Sequence, residues 1–303
     1  MRVWVPFADW VERVSSAADG VEVDVYDGAG EPPGSIGAVE LYVLPYMVGP
    51  GPARLMSAMP SLRVAQTLTA GVDDVRPLVP AGVTLCNARG VHDASTAELA
   101  VALMLASLRG IPDFVRNAEH GRWDGNRRDS LADRTVLIVG YGSVGEAVER
   151  RLAGFECDVR RVARSARDGV EPFAALPELL PRADVVVLTV PMTDETRGMV
   201  DARFLARMRD GALLVNVARG PVVRTDDLLA EVTTGRLRAA LDVTDPEPLP
   251  PDHPLWSSPG VLVSPHVGGN TTAFRPRALR LVVDQVRRYA AGVPLANVIS
   301  ADY

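Results

Sequence analysis

Three polar residues end successive apolar runs in the second half of this 303-residue chain. Arg219 closes Leu214-Val-Asn216-Val-Ala-Arg219-Gly220. Glu247 follows in Ala240-Leu-Asp242-Val-Thr-Asp-Pro-Glu247-Pro, and His266 in Val263-Ser-Pro265-His266-Val-Gly-Gly269. An arginine carries five donors in a planar fork, so it can hold a carboxylate and polarise an adjacent carbonyl. Histidine exchanges a proton near neutral pH. A carboxylate beside it can orient the ring, hold its tautomer and stabilise the imidazolium. Each residue alone also has a structural reading: Arg219 as an interface ion pair, Glu247 as a turn residue, His266 as a satisfied loop histidine.

A second constellation precedes them. The apolar run 135–139 breaks into Gly140-Tyr-Gly142-Ser143-Val144-Gly145, followed by helix formers over 146–152. Strand, glycine turn and helix start are the parts needed to hold a dinucleotide pyrophosphate. Gly140 permits the turn, Gly142 lets the backbone reach the phosphates, and Gly145 lets helix pack on strand. The helix then aims free N–H groups and its positive dipole end at the anion. A carboxylate that binds the ribose 2′-hydroxyl belongs at the end of the next strand. Ala163 stands there, with Arg164 and Ser165 behind it, and Asp158 lies too early. An arginine without a neighbouring acid favours a 2′-phosphate, hence NADP over NAD. The alternative is that Arg164 and Arg167 are solvated loop charges and both cofactors are accepted.

The elements that must position these residues are short apolar runs separated by Gly, Pro and helix formers, the pattern of parallel sheets. Runs at 2–7, 21–27, 39–45, 62–68 and 83–88 give a first sheet. Ser95-Thr-Ala-Glu98 predicts a capping box, with Ser95 as N-cap, opening a long helix buried nearly all round and stopped by Gly110 and Pro112. Runs at 135–139, 158–162, 184–190, 212–218, 239–243 and 261–264 give six parallel strands in doubly wound order. A helix over 273–289 and the tail from Gly292 are expected to return to the first domain. The fold class is therefore α/β with two domains, each a parallel sheet flanked by helices. A dinucleotide-binding domain (93–269) is inserted into a discontinuous flavodoxin-like substrate domain (1–92 and 270–303), and ligand is expected in the cleft between them.

Composition narrows the function classes. The chain is 47% hydrophobic and 23% charged, with a formal net charge of −6, so bulk charge argues for neither a nucleic-acid nor a membrane partner. Every cation other than histidine is arginine, which we read as GC-rich codon usage; it excludes Schiff-base chemistry on lysine. Cys86 and Cys157 lie in apolar strand-like runs, as buried thiols in a reducing cytosol would. The cysteines and histidines show no metal-ligand spacing, and no apolar stretch has the length of a signal peptide or membrane span.

Together these motifs resemble the D-isomer-specific 2-hydroxyacid dehydrogenases over almost the whole chain. The matching segments are Thr69-Ala-Gly71-Val72-Asp73, 90–98, 139–145, Pro191-Met-Thr-Asp-Glu-Thr196-Arg-Gly198, 216–220, 240–250 and 264–269. The resemblance implies Arg219, Glu247 and His266 as the catalytic set, and backbone amides at Ala70, Gly71 and Val72 as receivers of the substrate carboxylate. It implies that Asp242 holds the nicotinamide carboxamide, while Thr96, Pro191, Thr196 and Ala218 line the cofactor path. The implied reaction is hydride transfer between NADP(H), or NAD(H), and C2 of a 2-keto acid, glyoxylate or hydroxypyruvate among the candidates, in a cytoplasmic homodimer paired through the cofactor domain's long helix. Leu99 stands where many relatives carry histidine, which we read as a packing change. His92 is expected to be solvated beside a helix cap at Asp93, with a contact to substrate or cofactor as the alternative. Tyr46 and Met47 suit either a substrate-facing wall or core packing. Two other functions fit the same fold: a dinucleotide-sensing corepressor without turnover, and a formate or phosphite dehydrogenase.

Overall fold

A computed structural model describes residues 1–300. The chain divides into two compact units, Met1–His92 with the segment from Thr272 onward, and Asp93–Thr271. In the first unit five parallel strands, β1 (Arg2–Val5), β2 (Glu22–Val25), β3 (Val39–Val43), β4 (Val64–Gln66) and β5 (Thr84–Cys86), are ordered β2-β1-β3-β4-β5. That is the flavodoxin order. The helix Phe274–Ala290 seats Ala278, Val282 and Val286 on this sheet with Val3, Val5, Leu41 and Val43. One buried polar link joins them: Gln285 donates to Gln66 Oε1 at 2.7 Å, and Gln66 donates to the carbonyls of Thr67 and Asn87. The last described residues close on the same sheet, where the Ile299 amide donates to the Leu85 carbonyl.

The second unit holds β6 (Thr135–Val139), β7 (Asp158–Ala163), β8 (Glu171–Pro172), β9 (Val185–Leu188), β10 (Leu213–Asn216), β11 (Arg238–Leu241) and β12 (Val261–Val263). Their order, β12-β11-β10-β9-β6-β7-β8, is the doubly wound arrangement with a seventh strand. Six strands were expected. The missed one, β8, is two residues long and pairs only Val162 with Glu171 and Ala163 with Pro172, too short for any apolar period. Both faces of the sheet are covered. Leu137 and Val139 face one core, and Val136 and Ile138 the other, which is why the strands read as unbroken apolar runs.

Several local expectations are corrected. The long helix runs Asp93–Arg109 and so starts two residues before Ser95. Ser95 is not its N-cap: its hydroxyl is within 2.8 Å of Thr271 Oγ1, a partner 176 residues away. Glu98, Ala102 and Arg109 are exposed, so the burial is less complete than expected. Gly110, at φ 66, does end the helix, but Pro112 opens the next one, Ile111–Glu119, where a missing amide hydrogen goes unneeded. Cys86 is buried, whereas Cys157 is only half-buried. His92 is buried, not solvated. Its Nε2 donates to the Leu68 carbonyl at 2.7 Å, and its ring stacks on Tyr46 and Phe274. Tyr46 packs on Phe274 at 4.1 Å, while Met47 is 52% exposed. Leu99 packs against the second unit's core, as its apolar side chain demands.

Candidate active site

Every expected catalytic residue of the second unit lies past the carboxyl end of a parallel strand, on the rim where open α/β sheets bind ligands. Arg219 follows β10. Buried Asn216 shapes its approach: the side-chain amide donates to the Arg219 carbonyl at 3.0 Å, and the side-chain oxygen accepts from the Ala218 amide at 3.0 Å. Gly220 then presses on the next turn, because a Cβ there would fall 1.8 Å from the Thr244 carbonyl oxygen. This contact sets the end of β10 against the turn that carries Glu247.

His266 meets Glu247 directly, with Nδ1 2.5 Å from Oε1. An ionised carboxylate only accepts, so Nδ1 carries the hydrogen and Nε2 is left for the reacting proton. Burial works to raise the Glu247 pKa, but the hydrogen bond and charge of His266 outweigh it, and Arg219 adds to them. The net shift is downward, keeping the carboxylate charged at neutral pH. His266 itself sits at φ 52, in the left-handed region that side chains rarely occupy.

Asp242, at the end of β11, anchors the histidine loop. Its buried carboxylate accepts from the Ser264 hydroxyl (2.7 Å) and the amides of Val267 and Gly268 (2.9 Å each), while its carbonyl accepts from the His266 amide at 2.8 Å. Gly268 lies against Thr96, where a Cβ would meet Thr96 Cγ2 at 3.5 Å. Neither the Asn216 nor the Asp242 clasp was assigned from sequence, although both residues were visible at strand ends.

The glycine turn fits a dinucleotide. Gly140, at φ 100, leaves no room for a side chain: a Cβ would lie 2.5 Å from the Val190 amide nitrogen. A Cβ on Gly145 would lie 2.5 Å from the Gly140 carbonyl oxygen, so close packing requires glycine there too. Gly142 faces open space and precedes Ser143, the first residue of the helix Ser143–Leu152. Val144 follows inside that helix. Among the described residues no side chain caps this N-terminus, so its orphan amides suit a phosphate. Arg164 and Ser165 are exposed just past β7, behind buried Ala163. Pro191 is exposed after β9 and Ala218 is buried beside Arg219. Thr196 is buried, and its hydroxyl donates to the Pro191 carbonyl at 2.6 Å, so it shapes this loop from inside.

In the first unit, residues 69–72 follow β4. Three side chains hold their carbonyls: Thr67 donates to Thr69 O (2.9 Å), Asn87 to Ala70 O (2.7 Å) and Thr69 to Gly71 O (2.7 Å). In a trans peptide the N–H points opposite the C=O. Fixing each carbonyl therefore also fixes the amide of the same peptide plane, at Ala70, Gly71 and Val72 in turn.

Residues 101–268 match the family model described as D-isomer specific 2-hydroxyacid dehydrogenase, NAD binding domain. The chain belongs to this family. It is 34% identical over 240 residues to a mouse glyoxylate reductase/hydroxypyruvate reductase, covering 73% of this chain and 72% of the relative. A Xanthobacter autotrophicus dehydrogenase solved with NADPH and MES superposes with a TM-score of 0.81 at 30% identity, covering 99% of this chain and 97% of that one. A Sinorhizobium meliloti NADPH-dependent glyoxylate/hydroxypyruvate reductase, solved with NADP and sulfate, gives 0.83 at 28% identity over 99% and 98% of the two chains. This member is thus an NAD(P)-dependent 2-hydroxyacid dehydrogenase, with the two-domain α/β fold expected from its sequence. No single helix among the described residues of the dehydrogenase is long and apolar enough to cross a membrane.

Proposed function

We propose that this dehydrogenase reduces a small 2-keto acid, of the glyoxylate or hydroxypyruvate kind, to the D-2-hydroxy acid, with NADPH preferred over NADH. The reading rests on one observation above the others: His266, in a left-handed backbone conformation, is paired with Glu247 within the influence of Arg219. The cofactor, held at the turn 140–145 with Thr96, Pro191, Ala218 and Asp242 along its path, supplies the hydride for C2. His266 Nε2 gives its proton to the carbonyl oxygen as negative charge develops there. Glu247 holds the ring and stabilises the imidazolium, while Arg219 neutralises the oxygen and carboxylate. The amides of Ala70, Gly71 and Val72 take up the substrate carboxylate. Arg164 and Ser165, with no acid at Ala163, support the 2′-phosphate. The enzyme works in the cytosol as a homodimer.

The test is the oxidation of NADPH and NADH, side by side, with glyoxylate, hydroxypyruvate, pyruvate and phenylpyruvate. Turnover with at least one keto acid and faster use of NADPH is expected. Tight NADPH binding without turnover on any of them would overturn the enzymatic reading in favour of a dinucleotide sensor.

A further inference from the structure

The residue between the first two glycines of the turn is Tyr141, and its ring joins four elements. Its hydroxyl donates to Glu149 Oε2 on the helix Ser143–Leu152. The same carboxylate takes both ends of the Arg161 fork from β7, with Nε 2.7 Å from Oε2 and Nη2 on Oε1. The Arg161 guanidinium also lies over the Tyr141 ring, 5.8 Å from its centroid. Arg167, in the loop between β7 and β8, lies 5.5 Å from that centroid and donates Nη2 to the Tyr141 carbonyl. The two arginines are not equivalent. Arg161 is neutralised by Glu149. Arg167 is exposed, and among the described residues no carboxylate pairs with it.

We propose that Tyr141 is a positioning residue for cofactor selectivity. Its ring and carbonyl form a platform that holds the cation of Arg167 beside Arg164 and Ser165, where a 2′-phosphate would arrive. Glu149 and Arg161 brace the ring from behind. An arginine on a mobile loop loses side-chain freedom when it grips a phosphate. One already seated on an aromatic face has given up much of that freedom beforehand. The selectivity for a phosphorylated ribose then depends on a side chain that acts through Arg167. This inference rests on the NADP preference proposed above.

The experiment measures binding of two small probes, 2′-phosphoadenosine 5′-phosphate and adenosine 5′-phosphate, by calorimetry on the full chain. The variants are Tyr141→Ala, Tyr141→Phe, Arg167→Ala and the Tyr141/Arg167 double alanine. The wild type is expected to prefer the 2′-phosphorylated probe. Tyr141→Ala and Arg167→Ala each weaken that probe about tenfold, the size of one charge-assisted contact, and leave the other within about twofold. The double variant is no weaker than either single one, because both changes remove the same contact. Tyr141→Phe keeps the platform and most of the selectivity. Equal weakening of both probes by Tyr141→Ala would mean that Tyr141 merely shapes the turn, and would overturn the proposal. No change in either probe would overturn it as well. A wild type without preference removes the NADP reading and this proposal with it, whereas preference kept in every variant removes only the role of Tyr141. Arg167→Ala, at an exposed position, remains informative where Tyr141→Ala fails to fold.

Discussion

At the residue scale the decisive feature is a histidine that tolerates an unfavourable backbone. A non-glycine residue at positive φ costs about 1–2 kcal/mol and persists only where the surroundings hold it. At His266 they do: Asp242 grips the loop on either side, and Glu247 holds the ring. We expect His266→Ala to lower turnover by at least about 100-fold, the usual range for a general acid. NADPH binding, read by its fluorescence, stays nearly intact; an equal loss of binding would assign His266 a structural role. The same variant has a pH signature. Glu247 titrates below its ordinary value of 4.5 in the folded protein, so its stabilising share is present above that pH and lost as pH falls through the lowered value. The difference in urea midpoint between wild type and His266→Ala should therefore shrink on going from pH 5 to pH 3. A difference that stays constant would mean that the pair adds nothing to stability. The three residues proposed for the chemistry stood out as candidates because their types announce what they can do. Their supports were not. Asn216 and Asp242 act through donors and acceptors brought close by the loop's path, and residue type alone carries no record of that path.

Elements transmit this geometry. The apolar runs were readable because both faces of each sheet are covered, which demands Val and Leu at consecutive positions. Short or tertiary features escaped. Two residues suffice for β8, and Ser95 abandons a plausible capping box for Thr271 because the helix begins two residues earlier. Close approaches between loops were equally invisible, and Gly220 is the clearest of them. Its neighbour is backbone, so a methyl group 1.8 Å from the Thr244 carbonyl can be accommodated only by moving one turn off the other. We expect Gly220→Ala to separate Arg219 from Glu247 and to lower kcat/KM at least about tenfold. It should also lower the thermal midpoint by several degrees, as overpacking of about 1–3 kcal/mol would. Wild-type kcat/KM in this variant would mean that the spacing of the two turns does not set the catalytic geometry.

At the scale of the whole molecule, one helix is out of place on the surface of a lone chain. In Ile111–Glu119 the apolar side chains Ile111, Phe114, Val115 and Ala118 recur at the spacing of a single helical face, yet no residue of the helix is buried. Ile111 is 46% exposed, Val115 58%, and Trp123 just beyond is 99% exposed. An amphipathic helix forms stably by burying its apolar stripe, and contiguous apolar surface on a folded protein marks an interface. The long helix Asp93–Arg109 leads directly into it through Gly110. A second copy of the chain would cover this stripe in the homodimer proposed above, and a symmetric pair would bring the same patch from each subunit to the axis. The variant Phe114→Asp/Val115→Asp places two carboxylates on that face without replacing any buried side chain. We expect the wild type to sediment as a dimer and the variant as a monomer, with an unchanged far-ultraviolet circular dichroism spectrum. A variant that remains dimeric would locate the interface elsewhere, and the exposure of this stripe would then lack a physical account.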